Sequence, residues 1–225
     1  MTKKILEAEL SKPDFLNALL SKFTDFYNLN KRVVILATSG LVIVLLIITS
    51  WFSYNYYYEK NAWIQYKKIA TSNDKLSVSA KDEEMIKSYQ NLNLKYPQSQ
   101  AALLSFYRLG NLYFQKNDID AAIKSYNTYI SKASDNNEFK ALSFSGLAYC
   151  YELKKDYKHA LLSLQEAEKI EAGKNFRQFI YRDMARMYES MANSNEALKF
   201  YKKSLEHSTD PVFTLLIKRK ISILS

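Results

Sequence analysis

Two histidines and one cysteine are the residues of this sequence best suited to acid–base catalysis, metal binding or redox chemistry. His159 and His207 lie far apart among lysines and glutamates of predicted helices, which indicates exposed surface positions. Cys150 has no second cysteine for a disulfide and no ligand at metal-binding spacing. It stands between two tyrosines, where we expect a small, buried, apolar residue. The types and spacing of these residues therefore indicate no reactive constellation.

Sequence motifs of enzymes are missing as well. Neither a Walker loop nor a G-x-S-x-G, G-x-G-x-x-G or H-x-x-x-H pattern occurs. We therefore expect no catalytic residues, no cofactor, no metal and no enzyme activity. With 4 glycines and 3 prolines the chain has few helix breakers, which favours an all-α fold.

The net charge of +9 is compatible with nucleic acid or an anionic lipid surface as a partner. Lysines alternate with acidic residues and no long basic block occurs. We interpret the excess mostly as solvated helix faces; the alternative is a weak attraction to acidic partners or lipid headgroups. We expect no binding to nucleic acid, because the orientation predicted below places most of the chain outside the cytoplasm.

Residues 33–52, VVILATSGLVIVLLIITSWF, predict a transmembrane helix. They carry no charge and no proline, and as a helix they span about 30 Å, the thickness of the hydrocarbon layer. The alternatives are a cleaved signal peptide and a buried core helix, but the run ends in bulky aromatics, which suit the membrane interface better than a cleavage site. Lys31 and Arg32 abut the segment and favour a cytoplasmic N-terminus. The wider flanks carry equal numbers of cations, so the orientation depends on this pair.

The tail of residues 1–32 contains a second helix signal. Ser11, Lys12, Pro13 and Asp14 form a typical helix start, and apolar residues follow at helical spacing. This predicts a cytoplasmic amphipathic helix that lies on the inner lipid surface or docks on a partner.

Three segments, residues 106–130, 144–170 and 181–205, share a pattern of small and bulky residues. The small residues Gly110, Ala148 and Ala185 lie 38 and 37 positions apart. A small residue lets a partner helix approach closely, and bulky residues fill the angle between the two helices. The other recurring positions are Tyr113, Tyr151 and Tyr188; Ala122, Ala160 and Ala197; and Tyr126, Leu164 and Tyr201.

This pattern resembles the tetratricopeptide repeat (TPR), whose period is about 34 residues. The longer period here predicts extended turns near residues 135–137 and 173–175, and Tyr129 at a small position predicts poorer packing of the first unit. We predict a TPR-like helical solenoid after a single transmembrane helix. Its parts are a linker with a degenerate helical pair (53–98), three repeats (99–209) and a capping helix (210–225) with Phe213, Leu216, Ile217, Ile221 and Leu224 on one face.

The first helices of such repeats line a groove that binds other proteins. Aromatic residues there can anchor a bound segment, and arginines can pair with its acidic residues. Some TPR proteins grip a C-terminal carboxylate; Asn111 matches one position of that clamp, but Tyr107, Phe179 and Asp183 occupy others, so the clamp is absent. The predicted groove residues are Leu104, Tyr107, Asn111, Phe114, Leu142, Ser145, Tyr149, Glu152, Phe179, Arg182, Arg186 and Glu189.

The arrangement also resembles a bacterial family of inner-membrane TPR proteins that includes the ancillary subunit of the Sec translocon. The resemblance is carried by the Lys12-Pro13-Asp14 helix start, the single span, the tyrosine-rich repeats and the turn Tyr96-Pro97-Gln98-Ser99. It implies an inner-membrane protein with a periplasmic repeat domain that contacts envelope or exported polypeptides, and the translocon as a partner. We expect a scaffold or chaperone-like adaptor; the alternative is a subunit of an envelope assembly, or a homo-oligomer, that docks through its terminal helices.

Overall fold

The computed structural model describes residues 15–71 and 78–225 of the chain. These residues form α-helices and one 3₁₀ helix, and no β-strand occurs among them, which confirms the all-α prediction. The predicted helix start at residues 11–14 lies outside the described residues. The helices are α1 (Phe15–Leu29), α2 (Lys31–Ala70), α3 (Val78–Lys95), α4 (Gln100–Gln115), α5 (Ile119–Lys132), α6 (Glu138–Leu153), α7 (Tyr157–Lys169), η1 (3₁₀, Glu171–Phe176), α8 (Arg177–Ser190), α9 (Ser194–Glu206) and α10 (Pro211–Leu224).

The chain divides into two compact units, Met1–Tyr57 and Tyr58–Ser225. In the first unit, α2 carries the apolar segment, and it is the one helix in the described part of the chain that is long and apolar enough to cross a membrane. Its hydroxyl groups bond within the helix: Thr38 Oγ1 donates to the Val34 carbonyl at 2.8 Å, and Thr49 Oγ1 to the Leu45 carbonyl at 2.9 Å. These bonds leave the surface of the segment apolar.

In the second unit, residues from the end of α2 share a core with α3 and α4. Ala62 and Tyr66 of α2 are buried with Tyr89 and Leu92 of α3 and with Ala101 of α4. This segment of α2 and α3 therefore form a helical pair that precedes the three repeats.

The repeats are the pairs α4–α5, α6–α7 and α8–α9, and each turn within a pair is built in the same way. Asn117, Lys155 and Ala192 adopt left-handed backbone conformations with φ of 60°, 59° and 57°. The following residue caps the second helix: the side chains of Asp118, Asp156 and Asn193 each accept a backbone N–H from three residues onward at 3.2 Å. Equivalent turns and caps thus recur at the spacing of the sequence repeat.

We call the space beside the small residue of each repeat (Gly110, Ala148 or Ala185) its notch. The notch at Gly110 contains a side chain and also lets the partner helix approach. Tyr126 of α5 lies against Gly110 of α4 and against Gly146 of α6, so close that a Cβ on either glycine would be 2.5 Å from its ring. Tyr126 is 2% exposed, and its hydroxyl donates to Asn111 Oδ1 at 2.6 Å. One tyrosine ring therefore fills the space between two successive repeats.

Both connections between repeats are longer than the turns within the repeats, as the longer period predicts. The turn after α5 is irregular, and residues 171–176 of the second connection form a 3₁₀ helix. The backbone N–H of Ala172 donates to Asn136 Oδ1 at 2.7 Å, so the two connections are bonded to each other. Tyr129 is buried, and its hydroxyl donates to Asn137, the N-cap of α6, at 3.0 Å. The prediction of poorer packing at Tyr129 is therefore wrong, because this residue joins the first repeat to the second.

Helix α10 covers the end of the last repeat. Phe213 and Ile217 are buried against Ala185 and Tyr201. Leu216 is 57% exposed, so the prediction that it shares the inner face is wrong. Adjacent residues in an α-helix point about 100° apart, and burial of Ile217 turns Leu216 outward.

Candidate protein-binding groove

A cavity of about 390 Å³ lies between the first helices of the three repeats, α4, α6 and α8. Eight of the twelve predicted groove residues line it: Tyr107, Asn111, Phe114, Leu142, Ser145, Tyr149, Phe179 and Arg182. The repeat period brings them together because each first helix presents equivalent positions to the same side. Apolar and aromatic side chains make up most of this surface.

The other four predicted residues lie outside the cavity. Leu104 packs against the core shared by α2, α3 and α4. Glu152 of α6 forms an ion pair with Arg186 of α8. Glu189 accepts a hydrogen bond from the Tyr201 hydroxyl and pairs with Lys220 of α10 at 3.1 Å. These charged residues connect helices and are not free to contact a bound segment.

A buried carboxylate organises the polar side of the cavity. Asp183 is 2% exposed. Its oxygens accept from the Tyr149 hydroxyl at 2.6 Å, from Arg182 Nε at 2.8 Å and from Arg186 Nη1 at 3.1 Å. Burial and, next, the charge of Asp183 raise the pKa of Tyr149, which stays protonated as a donor. A buried charge costs little when charged donors satisfy it, so this network holds α6 against α8.

The guanidinium of Arg182 is also covered by aromatic rings. It lies 5.4 Å from the ring centre of Phe179 and 5.8 Å from that of Phe213. These two rings contact each other edge to face at 5.2 Å. Arg182 and Arg186 were predicted to pair with acidic residues of a client, but in the structure their partners are Asp183 and Glu152 of the chain itself.

Six residues of the cavity wall were missed by the sequence-based prediction: Gln115, Tyr126, Gly146, Phe176, Ile180 and Asp183. Gly146 and Asp183 both stand two residues before the small residue of their repeat. That shared place was visible in the alignment of the repeats. The tyrosines that contact them, Tyr126 and Tyr149, lie on other helices, and these contacts could not be seen in the sequence.

The residues first considered for chemistry lie elsewhere. His159 and His207 are exposed, as predicted. Cys150 is fully buried, as predicted, and burial raises the pKa of its thiol to about 11. Among residues 15–71 and 78–225, no group of three or more histidine, cysteine, aspartate or glutamate side chains could hold a metal ion.

Solved structures with a similar fold include the following two. The TPR-like repeats of a kinesin-light-chain-like protein of Podosopora anserina superpose with a TM-score of 0.54 at 12% identity, over 73% of this chain and 83% of theirs. BtubC of P. vanneervenii superposes with a TM-score of 0.56 at 13% identity, over 74% of this chain and 81% of its own. At such identities the likeness concerns the fold alone. None of the curated protein sequences matches significantly.

A comparison with protein families matches residues 25–224 to the tetratricopeptide repeat-like domain. This range contains all three repeats whose turns, caps and notches recur in the structure. The chain belongs to the tetratricopeptide repeat-like domain family.

Proposed function

We propose that this protein is a membrane-tethered scaffold, or chaperone-like adaptor, that binds segments of envelope or exported proteins in the groove between α4, α6 and α8. TPR-like repeats indicate a protein-interaction scaffold in general terms. The observation that carries the proposal is the cavity wall, in which rings of three repeats converge while the charges of Arg182 and Asp183 are satisfied within the chain. Such a preorganised apolar cleft suits a bulky side chain of a partner.

A tether is supported by the surface of α2. Leu41, Leu46 and Ile47 are more than half exposed, and so are Trp51 and Phe52 at the end of the apolar segment. Water disfavours a surface of this extent, whereas a bilayer would cover it and place the aromatic residues at its interface. We place residues 33–52 in a bacterial inner membrane, with the N-terminus cytoplasmic and the repeats periplasmic. Tethering would raise the effective concentration of clients, so a weak groove would suffice.

Site-specific photocrosslinking in cells tests the groove. Gln115 is exposed and lines the cavity, and a photoreactive residue there should give adducts with exported or envelope polypeptides. Leu162 of α7 is 56% exposed and lies outside the cavity, so a probe there is the control. Adducts of equal pattern and yield at both positions would contradict a client site in the groove.

A blocking substitution sharpens this test. Ser145→Arg would place a long side chain in the cavity without removing an aromatic contact. Ser131→Arg is the matched control, because both serines lie in helices and donate to a backbone carbonyl of their own helix. The adducts from position 115 should disappear with Ser145→Arg and persist with Ser131→Arg. If both variants retain them, the segment does not bind in this cavity.

Membrane topology needs its own experiment. The full chain should stay in the membrane fraction after alkaline extraction, and a periplasm-active reporter fused after Ser225 should be active while the same reporter before Met1 is not. Release of the chain by alkali would contradict the membrane tether. The reverse reporter pattern would place the repeats in the cytoplasm. Neither result would affect the groove itself.

A second candidate function is assembly through the end of the solenoid. Val212, Leu215, Leu216 and Ile223 form an outward stripe on α10 and are each more than half exposed. A dimer would bury this stripe and not Phe213, which is already covered. Leu215→Glu with Leu216→Glu should then convert an oligomer to a monomer in light scattering of the detergent-solubilised chain. A parent chain that is monomeric at all concentrations would exclude this candidate.

A further inference from the structure

We infer a second protein-binding site on the opposite side of the repeats: a basic cleft between α3 and α5 that takes an acidic segment of a partner protein. The cleft has a volume of about 640 Å³. Its lining includes Gln90, Asn93 and Leu94 of α3, Phe106 of α4, and Lys124 and Lys132 of α5. It shares no residue with the groove, so it stands or fails independently of the proposed function.

The charge of the cleft is entirely positive. Lys124 and Lys132 are exposed, and no carboxylate is among the lining residues. Neither lysine forms an ion pair within the part of the chain that the structure describes; Lys132 Nζ only lies 5.3 Å from the centre of the Phe106 ring. An acidic ligand would therefore meet cations that need not break an existing pair.

The neighbouring cleft shows that the repeat architecture does not require this charge. A comparable cavity of about 540 Å³ lies between α5, α6 and α7, and it is lined by acidic and basic residues together. There Lys140 pairs with Asp135 at 2.8 Å, and Lys169 pairs with Glu166 at 2.6 Å. The first cleft differs from this one in that its two lysines have no carboxylate beside them.

The rest of the first cleft offers apolar contact. The polar groups of α3 are already bonded: Gln90 Nε2 donates to the Tyr113 hydroxyl at 2.8 Å, and Asn93 Oδ1 accepts from Ser105 at 2.5 Å. Leu94 is 82% exposed at the rim, and Phe106 is half-buried in the wall. A ligand must therefore combine an apolar side chain with carboxylates.

The spacing of the lysines favours a polypeptide. Lys124 and Lys132 lie eight residues apart on α5, which corresponds to about 12 Å along the helix. A single small anion cannot contact both ammonium groups, whereas two carboxylates on one amphipathic segment can. A lipid surface is flat and would contact the lysines without entering the cleft beside Phe106.

Peptide binding to the full chain in neutral phosphatidylcholine nanodiscs tests the inference by fluorescence anisotropy. The probe is a labelled amphipathic helical peptide with glutamates eight positions apart and a leucine midway between them; its partner probe has glutamines instead. The glutamate peptide should bind about tenfold more tightly than the glutamine peptide, and the difference should shrink at high salt. Equal binding of the two peptides, or no binding of either, would overturn the inference.

Variants assign the site. Lys124→Gln with Lys132→Gln should abolish the preference for glutamate, and Leu94→Ser should weaken both peptides. Lys158→Gln with Lys202→Gln changes the net charge equally at exposed positions of α7 and α9 and should leave binding unchanged. An equal loss of the glutamate preference in this control pair would show that the preference comes from overall net charge and not from the cleft. Binding to phosphatidylglycerol vesicles that depends on Lys124 and Lys132, without any peptide preference, would replace the inferred partner by a membrane.

Discussion

The ring of Tyr126 lies between glycines of two repeats. Alanine in place of Gly110 should therefore lower the stability of the protein, although alanine usually stabilises a helix relative to glycine. A Cβ at Gly110 would lie 2.5 Å from Cε1 of this ring, and a Cβ at Gly146 would lie 2.5 Å from Cζ. The ring cannot move away from one Cβ without approaching the other helix. Alanine in a helix interior usually stabilises it by about 1 kcal/mol over glycine, whereas overpacking a core costs about 1–3 kcal/mol.

Because a glycine backbone lies against each side of the ring, we expect the upper end of the overpacking cost, about 3 kcal/mol, which exceeds the helix gain of about 1 kcal/mol. Gly110→Ala should therefore lower the free energy of unfolding by about 2 kcal/mol, which corresponds to a fall in Tm of about 4–8 °C for a chain of this size. Far-UV circular dichroism melts of the full chain in detergent measure it. Gly40→Ala is the control, because a Cβ there would meet nothing within 4 Å and Tm should not fall.

A smaller side chain at position 126 should reverse the sign. Leu164 occupies the equivalent place in the second repeat, where the small residue is Ala148. In a Tyr126→Leu background the clash is removed, and Gly110→Ala should stabilise by about 1 kcal/mol. The cycle then gives a coupling energy of about 3 kcal/mol between the two positions. A stabilising Gly110→Ala in the parent chain, or an unchanged sign in the Leu background, would refute the trapped-ring geometry.

Three further outcomes follow from the backbone, the buried network and the buried thiol. Ala192→Gly should raise stability by about 1 kcal/mol, since φ is positive there, and Asn117→Gly should raise it less, because asparagine tolerates that conformation; thermal melts compare them. Asp183→Asn should cost about 1–3 kcal/mol and weaken groove crosslinking, because Tyr149 and the arginines lose a charged acceptor. Burial raises the pKa of Cys150 from 9.0 to about 11. As the pH rises from 9 to 11 the unfolded chain therefore loses the thiol proton before the folded chain does, and the free energy of unfolding falls. In thermal melts across this range, Tm should fall less steeply for Cys150→Ala than for the parent chain.

The fold could be predicted because its signals are local or periodic. Helix type followed from the scarcity of glycine and proline, and repeat positions followed from side-chain size at a fixed spacing. Ala122, Ala160 and Ala197 are all fully buried, as close packing of helix pairs requires. The left-handed turn residues Lys155 and Ala192 could not be predicted, since neither residue type favours that conformation and only the tight connection between two packed helices imposes it.

The candidate site could be predicted only in outline. Periodicity placed eight of twelve residues around one cavity, because periodicity decides which face of a helix a residue occupies. It does not decide which charges pair, and Asp183 engages two arginines that were expected to be free. Ring direction is also undetermined: the Tyr201 hydroxyl reaches Glu189, whereas the equivalent Tyr126 hydroxyl reaches Asn111.

One position of the repeat contacts a tyrosine at each of the three junctions. Two residues before each notch stand Arg108, Gly146 and Asp183, and each meets a tyrosine of the preceding repeat or helical pair. Arg108 Nε donates to the Tyr66 hydroxyl at 3.0 Å, Gly146 lies against the ring of Tyr126, and Asp183 accepts from Tyr149. A tyrosine can satisfy all three, since it offers a ring to a glycine, an acceptor to an arginine and a donor to a carboxylate. The same residue type therefore closes each junction, but through a different interaction. Tyr66→Phe and Tyr149→Phe should weaken the first and third junctions, because each loses the bonded hydroxyl. In Tyr126→Phe the ring contact with Gly146 should persist.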